Sequence, residues 1–225
     1  ICFIFAFFII KFLIFIKFTS NKKISKSYLR PILDFITRYG KFAFLILFLI
    51  SLYRIADVVM GVMANIFYLE KGYKISEIAT FSKFFGVFAT IFGGFIGGYC
   101  SYKFGTMKAL FFGALVAALS NLLFAWLAIS PISINFLIAV ITADNISSGF
   151  AGAAFVIYLS GLTSIKFTAT QYALFSSIML FLPKLIAGYA GSWVDVMGYA
   201  YFFSLTALLG LPVLYLIIWI GRVAP

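Results

Sequence analysis

A single carboxylate, Asp144, lies near the middle of a long apolar segment that runs from Ile134 to Leu162. It comes ten residues after Ile134, which is about 15 Å along a helix that rises about 1.5 Å per residue. That depth is close to the centre of a hydrocarbon layer about 30 Å thick. An isolated carboxylate there needs a partner, a water-filled cavity or a proton. We therefore predict that Asp144 lies on a transport path, with a neutral, hydrogen-bonded structural aspartate as the alternative.

A second charged group consists of Arg54 and Asp57, which are three residues apart and share a helix face. The same face continues through Gly61, Asn65 and Tyr68. One interpretation is a binding surface, with Arg54 for a carboxylate or phosphate and with Asn65 and Tyr68 for hydroxyl or amide groups. The other interpretation is a self-neutralising ion pair that only orders the helix.

Three further polar residues complete the candidate substrate-binding or proton-coupling set. Asn145 follows Asp144 among small residues, a pattern that is typical of a helix interface or a cavity wall. Gln171 lies near the start of the next apolar segment, where it could bind a substrate amide or sugar or cap a helix end. Lys184 follows Pro183, which we expect to kink its helix. Spacing alone leaves open whether Lys184 pairs with Asp144 or extends to the membrane surface.

The composition is that of a membrane protein. Of the 225 residues, 64% are hydrophobic and only 10% are charged, and mean hydropathy is +1.15, whereas a soluble surface needs far more polar side chains. Apolar runs of about 20 residues indicate helices rather than barrel strands. Without histidine or clustered metal ligands, we expect no metal, no cofactor and no enzyme. An aspartyl pair of Asp57 and Asp144 is the one enzymatic alternative.

We predict an all-α polytopic membrane protein with seven spans. The first occupies residues 1–18 and is followed by a basic stretch, residues 19–41. That stretch is either an ordinary loop or contains a short surface helix with Ile32, Ile36 and Tyr39 on its apolar face. The six remaining spans are predicted at about Phe42–Tyr68, Ile78–Ser101, Met107–Ile129, Ile134–Leu162, Phe167–Val194 and Tyr199–Ile220.

Glycines and one proline indicate where these spans pack closely and where the chain turns between them. Gly93, Gly94, Gly97 and Gly98 form two overlapping small-xxx-small patterns, which predict close packing between helices in lipid. The short connections carry the turn residues Gly72, Gly105, Pro131 and Gly198.

The basic residues lie mostly on one side of the predicted topology. The stretch 19–41 holds six of them, and Lys103, Lys108, Lys166 and Arg222 follow on the same side, whereas Lys71 and Lys74 are opposite. Because positive charge favours the cytoplasm, we expect a cytoplasmic C-terminus; the formal charge of +11 then reflects membrane orientation rather than nucleic-acid binding.

This topology puts Ile1 outside, in a hydrophobic run without a starting methionine. We therefore expect the C-terminal part of a longer transporter. Residues 1–18 would be the last helix of a missing N-terminal half, residues 19–41 a cytoplasmic linker, and residues 42–225 a six-helix bundle.

Three stretches resemble the AmpG-type muropeptide permeases of the major facilitator superfamily. They are YRIADVVMGVMANIFYLEKGYKISEIATFSKFFG at 53–86, DNISSGFAGAAFVIYL at 144–159 and FTATQYALFSS at 167–177. The resemblance covers about residues 42–220. It implies two six-helix halves that import anhydro-muropeptides, which are sugar–peptide fragments of the cell wall, across the bacterial inner membrane at the expense of the proton gradient.

The resemblance also implies site residues. Asp144 and Asn145 match an acidic residue followed by Asn, Gln171 lies in the ATQ-AL run, and Arg54 and Asp57 match the first stretch. The chain departs from the family pattern at Pro183–Lys184, where a glycine and an arginine are expected. It also departs at Tyr102, because major facilitator transporters usually have an acidic residue in this short cytoplasmic loop. The alternatives are an acetyl-CoA transporter of the same superfamily and a non-transporting split or decayed gene product.

Overall fold

The computed structural model describes residues 22–223, and all regular secondary structure in this range is helical. Six helical segments are long and apolar enough to cross a membrane. The prediction of an all-α polytopic membrane protein is therefore confirmed. The predicted first span, residues 1–18, lies outside the described residues.

The elements in chain order are α1 (Lys22–Tyr39), a 3-10 turn (Gly40–Phe42), α2 (Ala43–Leu52), α3 (Ile55–Glu70), α4 (Ile75–Ala79), a π-helical segment (Thr80–Phe85), α5 (Gly86–Phe104), α6 (Thr106–Ile129), α7 (Ile134–Leu162), α8 (Thr168–Ala187), α9 (Ala190–Leu208) and α10 (Gly210–Val223).

The bundle has two ends, which are identified by contacts between connections. At one end, Arg38 of α1 donates to the carbonyl of Leu162 and to Gln171. We call this the basic end; the start of α6 and the end of α10 also lie there, around one cavity. At the opposite end, Tyr199 donates to Glu70 at 3.0 Å, and Lys71 donates to the carbonyls of Ala128 and Ser130. The connections therefore alternate between the ends as predicted.

Helix α1 differs from the predicted short surface helix. It starts at Lys22 and continues through the 3-10 turn into α2, so Leu29–Glu70 forms one nearly continuous segment. Phe35 is buried at 3% exposure, whereas Ile36 is 45% exposed. The predicted stripe through Ile36 is therefore wrong, because the rings of Tyr39 and Phe175 pack against Phe35 instead.

The last two predicted spans are divided differently from the observed helices. Helix α8 runs through Pro183 and ends at Ala187, so the break falls at Gly188–Tyr189 rather than at the proline. The predicted turn at Gly198 is confirmed: its φ of 77° is in the left-handed region that favours glycine, and it interrupts α9. Residues beyond it return to the basic end, where Ile220 and Gly221 line the same cavity as Met107.

Helices α5 and α7 pack with their backbones in close approach. An added Cβ at Gly93 would lie 2.1 Å from the Ile146 carbonyl oxygen, and one at Gly97 would lie 2.4 Å from that of Phe150. By contrast, a Cβ at Gly98 would meet nothing within 4 Å. The predicted glycine packing is therefore confirmed: Gly93 and Gly97 make the closest approaches to α7, Gly94 lies beside Gly149, and Gly98 alone of the four faces open space. This packing holds α7, and with it Asp144, in place.

Candidate functional site

The ion pair between Arg54 and Asp57 lies where α2 ends and α3 begins. Arg54 precedes the first residue of α3, and Asp57 lies in its first turn, where a negative charge is favourable. The Nη2 atom of Arg54 is 2.5 Å from Oδ2 of Asp57, and their side chains are 25% and 9% exposed. The predicted sharing of a helix face is thus a direct contact.

Ser148 of α7 connects this ion pair to the helix that carries Asp144. Arg54 Nη2 lies 3.3 Å from Ser148 Oγ, which in turn lies 3.5 Å from Asp57 Oδ2. Arg54 Nε is buried without a hydrogen-bond partner among the residues described. A cavity of about 10 Å³ adjoins Arg54 and Asp57, close to the minimum that one water molecule needs. The guanidinium therefore keeps a donor for a further acceptor.

Asp144 is half-buried, and its carboxylate has a hydroxyl rather than a cation as its nearest partner. Ser120 Oγ on α6 is 3.4 Å from Oδ1 of Asp144, and Ser147 Oγ is 3.1 Å from Ser120 Oγ. The ion pairs found within residues 29–223 do not include Asp144. Asp144 nevertheless interacts electrostatically with Asp57, Arg54 and Tyr68, so these groups share one region.

The chemistry available to Asp144 follows from these partners. A charged carboxylate is costly within an apolar span unless a partner, water or a proton compensates it. The Ser120 hydroxyl can donate to a carboxylate or accept from a carboxylic acid, whereas the Ser147 hydroxyl contacts Ser120 and the backbone carbonyl of Asp144. The site is therefore suited to both protonation states of Asp144.

Two residues of α6 in this region were not among the predicted site residues. They are Ser120, described above, and Asn121, which is completely buried and whose Nδ2 donates to the Ala56 carbonyl at 3.4 Å. The Oδ1 atom of Asn121 has no partner within the described part of the chain. The signal in the sequence was a Ser–Asn pair in the middle of an otherwise apolar span.

Asn145 points away from Asp144, although the two are adjacent in sequence. Its Oδ1 accepts from Thr90 Oγ1 at 3.0 Å, and its Nδ2 donates to the Ile141 carbonyl at 2.8 Å. The amide also lies against Gly86, where an added Cβ would come within 3.1 Å of it. Of the two predicted contexts for Asn145, the geometry corresponds to a helix interface, between α5 and α7.

The predicted stripe of α3 is divided by burial. Tyr68 is 4% exposed and stacks on Phe124, with ring centroids 5.9 Å apart. Gly61 and Asn65 are exposed, and a Cβ at Gly61 would meet nothing within 4 Å. Tyr68 thus faces the region of Asp144, whereas Asn65 lies on an open face of the bundle.

Gln171 is completely buried at the basic end, in a different cluster from Asp144. Its Nε2 donates to the Pro31 carbonyl at 2.8 Å and to Asp34 at 3.0 Å. Its Oε1 accepts from the Ser164 amide at 2.7 Å and from Arg38 at 3.2 Å. These contacts occupy both ends of the amide and join α1 to the connection between α7 and α8, so Gln171 has a structural role in this geometry that is neither of the two predicted ones.

Lys184 is exposed and forms no ion pair with Asp144. Of the two roles that spacing left open, the structure thus contradicts pairing. The ammonium group lies on the surface of α8, one residue after the buried Pro183. The structure therefore groups Arg54, Asp57, Tyr68 and Asp144, and it places Asn65, Asn145, Gln171 and Lys184 elsewhere.

Comparison with known proteins identifies relatives along most of the chain. It is 36% identical over 194 residues to a protein named "Putative transporter AmpG 4" from Rickettsia felis, a match that covers 86% of this chain and 46% of the relative. A second relative is "Putative transporter AmpG 1" from Rickettsia bellii, at 33% identity over 195 residues, with the same coverage of both chains. No protein-family model matches the chain.

The chain spans about half the length of these relatives, and the matched part is their C-terminal half. The relatives are named as transporters, and the six apolar helices described above make this chain a multi-pass membrane protein. The chain is therefore a homologue of the C-terminal half of the AmpG-named transporters and belongs to their family.

Proposed function

We propose that this chain forms the C-terminal six-helix half of a permease of the major facilitator type that imports anhydro-muropeptides together with protons. The observation that carries the proposal is the position of Asp144. Its side chain lies in an apolar span, and its nearest partner is the Ser120 hydroxyl. It also lies near the ion pair of Arg54 and Asp57, in which Arg54 Nε has no hydrogen-bond partner among the described residues.

Proton coupling is the role that best fits Asp144. A carboxylate at this depth is costly when charged, and no cation is paired with it in the part that the structure describes. The free-energy cost of the charged form falls when a cavity exposes the carboxylate to water. The protonation state of Asp144 can therefore change as the transporter alternates between opening to one side of the membrane and to the other. Ser120 then provides a partner for either form of the side chain, and Ser147 contacts Ser120 from the other side.

Arg54 is the proposed contact for an anionic group of the substrate. Its Nε donor has no partner among the described residues, and its Nη1 faces Gly152 of α7, where no side chain covers the guanidinium. A carboxylate of a peptide could accept from this donor. Asn65, on the open face of α3, is the proposed contact for polar groups of the sugar or peptide.

The proposed setting is the bacterial inner membrane, with the basic end in the cytoplasm. The concentration of Lys and Arg at that end supports this orientation. A second six-helix half would complete the substrate path, with residues 1–18 as its last helix and residues 19–41 as the linker; the greater length of the relatives supports this division.

The test is uptake by the native protein. We would isolate it from its membranes with an antibody to the connection 163–167, reconstitute it in proteoliposomes, and measure entry of radiolabelled anhydro-muropeptide under an imposed pH gradient. We expect uptake that stops when the gradient is collapsed. Competition by acetyl-CoA, without uptake of muropeptide, would favour the acetyl-CoA transporter. Correct insertion without binding of either compound would favour the non-transporting gene product.

A further inference from the structure

A cluster of polar contacts at the basic end joins α1 to the connection between α7 and α8. At its centre is Gln171, which is completely buried although its side chain is polar. Its Nε2 donates to the Pro31 carbonyl at 2.8 Å and to Asp34 Oδ2 at 3.0 Å. Its Oε1 accepts from the Ser164 amide at 2.7 Å and from Arg38 at 3.2 Å. All four hydrogen-bonding positions of the amide are therefore used.

Arg38 and Phe35 add further contacts between α1 and the rest of the bundle. The Arg38 guanidinium donates to the carbonyl of Leu162, the last residue of α7, and forms an ion pair with Asp34. The Phe35 ring is 3% exposed and packs edge-on against Phe175 of α8, with centroids 5.1 Å apart. Helix α1 is thus attached to two other helices, through polar and apolar contacts together.

Without these contacts, the chain between α1 and α2 would be a natural joint. A 3-10 turn of three residues, Gly40–Phe42, separates the two helices. Gly40 has a φ of 51°, in the left-handed region that glycine adopts without strain. A Cβ at this position would meet nothing within 4 Å in the described part of the chain. Because the turn itself is so open, the angle between α1 and α2 is set by contacts made further along α1.

We infer that Gln171 is a positioning residue, which fixes the angle between α1 and α2 so that α1 moves as a rigid part of this half. Pivoting at Gly40 would separate the Gln171 amide from its partners on α1 and leave it buried without them, which is costly.

Rigidity of α1 has a consequence for transport. In alternating access, one half of a transporter rocks against the other largely as a rigid body. A rigid α1 transmits this rotation towards the N-terminal part of the chain, whereas an α1 that pivots at Gly40 would absorb it. This consequence rests on the function proposed above, but the rigidity of α1 does not.

The experiment measures the distance between two spin labels in the purified full chain in lipid nanodiscs. In a variant without Cys2 and Cys100, the labels are attached at Thr37→Cys on α1 and at Lys74→Cys at the opposite end of the bundle, both exposed positions. We expect a single narrow distribution of distances, because α1 does not pivot relative to the bundle. A broad or double distribution in this otherwise unchanged chain would overturn the inference.

Gln171→Leu removes the amide and keeps a side chain of similar size. We expect a second population of α1 distances, increased by at least about tenfold, because hydrogen bonds to Asp34 and Arg38 are lost. The matched control is Asn135→Leu, which removes an exposed amide near the start of α7 and should leave the distribution narrow. No second population in Gln171→Leu, or the same population in Asn135→Leu, would overturn the inference.

A second label pair separates release of α1 from a general loss of the fold. It joins Lys74→Cys to Lys103→Cys, at the end of α5, and so reports on the bundle without α1. This distance should stay narrow in every variant. If Gln171→Leu widens both pairs, Arg38→Met decides, since it removes the contacts with Leu162 and Asp34 at a partly exposed position. Widening of the α1 pair alone would then support the inference, and no widening would overturn it.

Uptake by the native protein tests the consequence for transport. Gln171→Leu should lower the maximal rate of muropeptide uptake and leave the half-saturating concentration unchanged, because Gln171 lies in a different cluster from Asp144. A raised half-saturating concentration with an unchanged maximal rate would place Gln171 in substrate binding and overturn its positioning role. Absence of uptake by the unchanged protein would contradict the proposed function, whereas the label distances would still decide whether α1 is rigid.

Discussion

At the scale of single residues, the environment divides two carboxylates of one region into different roles. Asp57 Oδ2 lies 2.5 Å from Nη2 of Arg54, with which it forms an ion pair. The Asp144 carboxylate has the Ser120 hydroxyl as its partner, at 3.4 Å, and no cation paired with it within residues 29–223. One carboxylate is therefore paired with a cation and the other with a hydroxyl, and it is the second that we propose as the proton-coupling group.

The replacement Asp144→Asn tests the proton role. Asparagine keeps the size and the hydrogen bond to Ser120 but cannot exchange a proton at neutral pH. We expect gradient-driven uptake to fall by at least about tenfold, equivalent to about 1.4 kcal/mol, and the remaining uptake to lose its dependence on pH. The control is Asp195→Asn, at an exposed aspartate. Unchanged uptake with unchanged pH dependence would contradict the coupling role.

The contribution of the Arg54–Asp57 ion pair to stability can be tested without a transport measurement. Arg54→Gln and Asp57→Asn each leave one charge in a partly buried place without its partner, so each should destabilise the protein by about 1–3 kcal/mol. The double replacement should cost less than the sum of the two. Thermal melting in detergent measures all three variants, and strictly additive losses would show that the pair contributes no interaction energy.

At the scale of elements, the site depends on how closely α7 packs against its neighbours. Backbone contact with α5 is possible because glycines face α7 there, at Gly93 and Gly97, and because Gly149 faces α5 in return. The Asn145 amide then holds α5 through Thr90. Since these contacts lie on one side of α7, the side chain of Asp144 on another side is directed towards α6 and Ser120.

Glycine replacements test this packing. Gly93→Ala would place a Cβ 2.1 Å from a carbonyl oxygen of α7, so the helices must separate and stability should fall by about 1–3 kcal/mol. Gly98→Ala, one turn away with open space around it, should be neutral or stabilising by up to about 1 kcal/mol through helix propensity. The melting temperatures of the two variants would test whether Gly93, and not Gly98, packs against α7. Equal destabilisation by the two replacements would contradict this assignment.

At the scale of the whole molecule, the two ends of the bundle are chemically different. The basic end holds α1 against α7 and α8 through Arg38 and the buried Gln171. The opposite end is closed by Lys71 on two carbonyl groups and by Tyr199 on Glu70. This asymmetry supports an orientation in the membrane, with the basic end in the cytoplasm.

Cysteine labelling tests the orientation. In a variant without Cys2 and Cys100, we would introduce Lys166→Cys at the basic end and Lys74→Cys at the opposite end, both at exposed positions. A reagent that does not cross membranes should label Lys74→Cys in intact cells and should label Lys166→Cys only after the membrane is opened. Labelling in the reverse order would place the basic end outside.

The helical membrane fold, most span positions and the charge asymmetry could be predicted from the residues alone, because hydropathy, loop charge and turn glycines act locally along the chain. The sequence also identified Arg54, Asp57 and Asp144, since charged groups within apolar spans are conspicuous. The tertiary structure was needed to show that Asp144 faces α6 whereas its neighbour Asn145 faces α5. The direction of a side chain depends on which helices pack around it.

The tertiary structure likewise decided the partners of Gln171, Lys184 and Ser120. Gln171 bonds with residues more than 130 positions away in α1, and Lys184 lies on the bundle surface rather than beside Asp144. Ser120 became a site residue only because α6 packs against α7 at the level of Asp144. Such contacts depend on the rotation of each helix about its axis, which is set by packing with neighbouring helices and not by hydropathy.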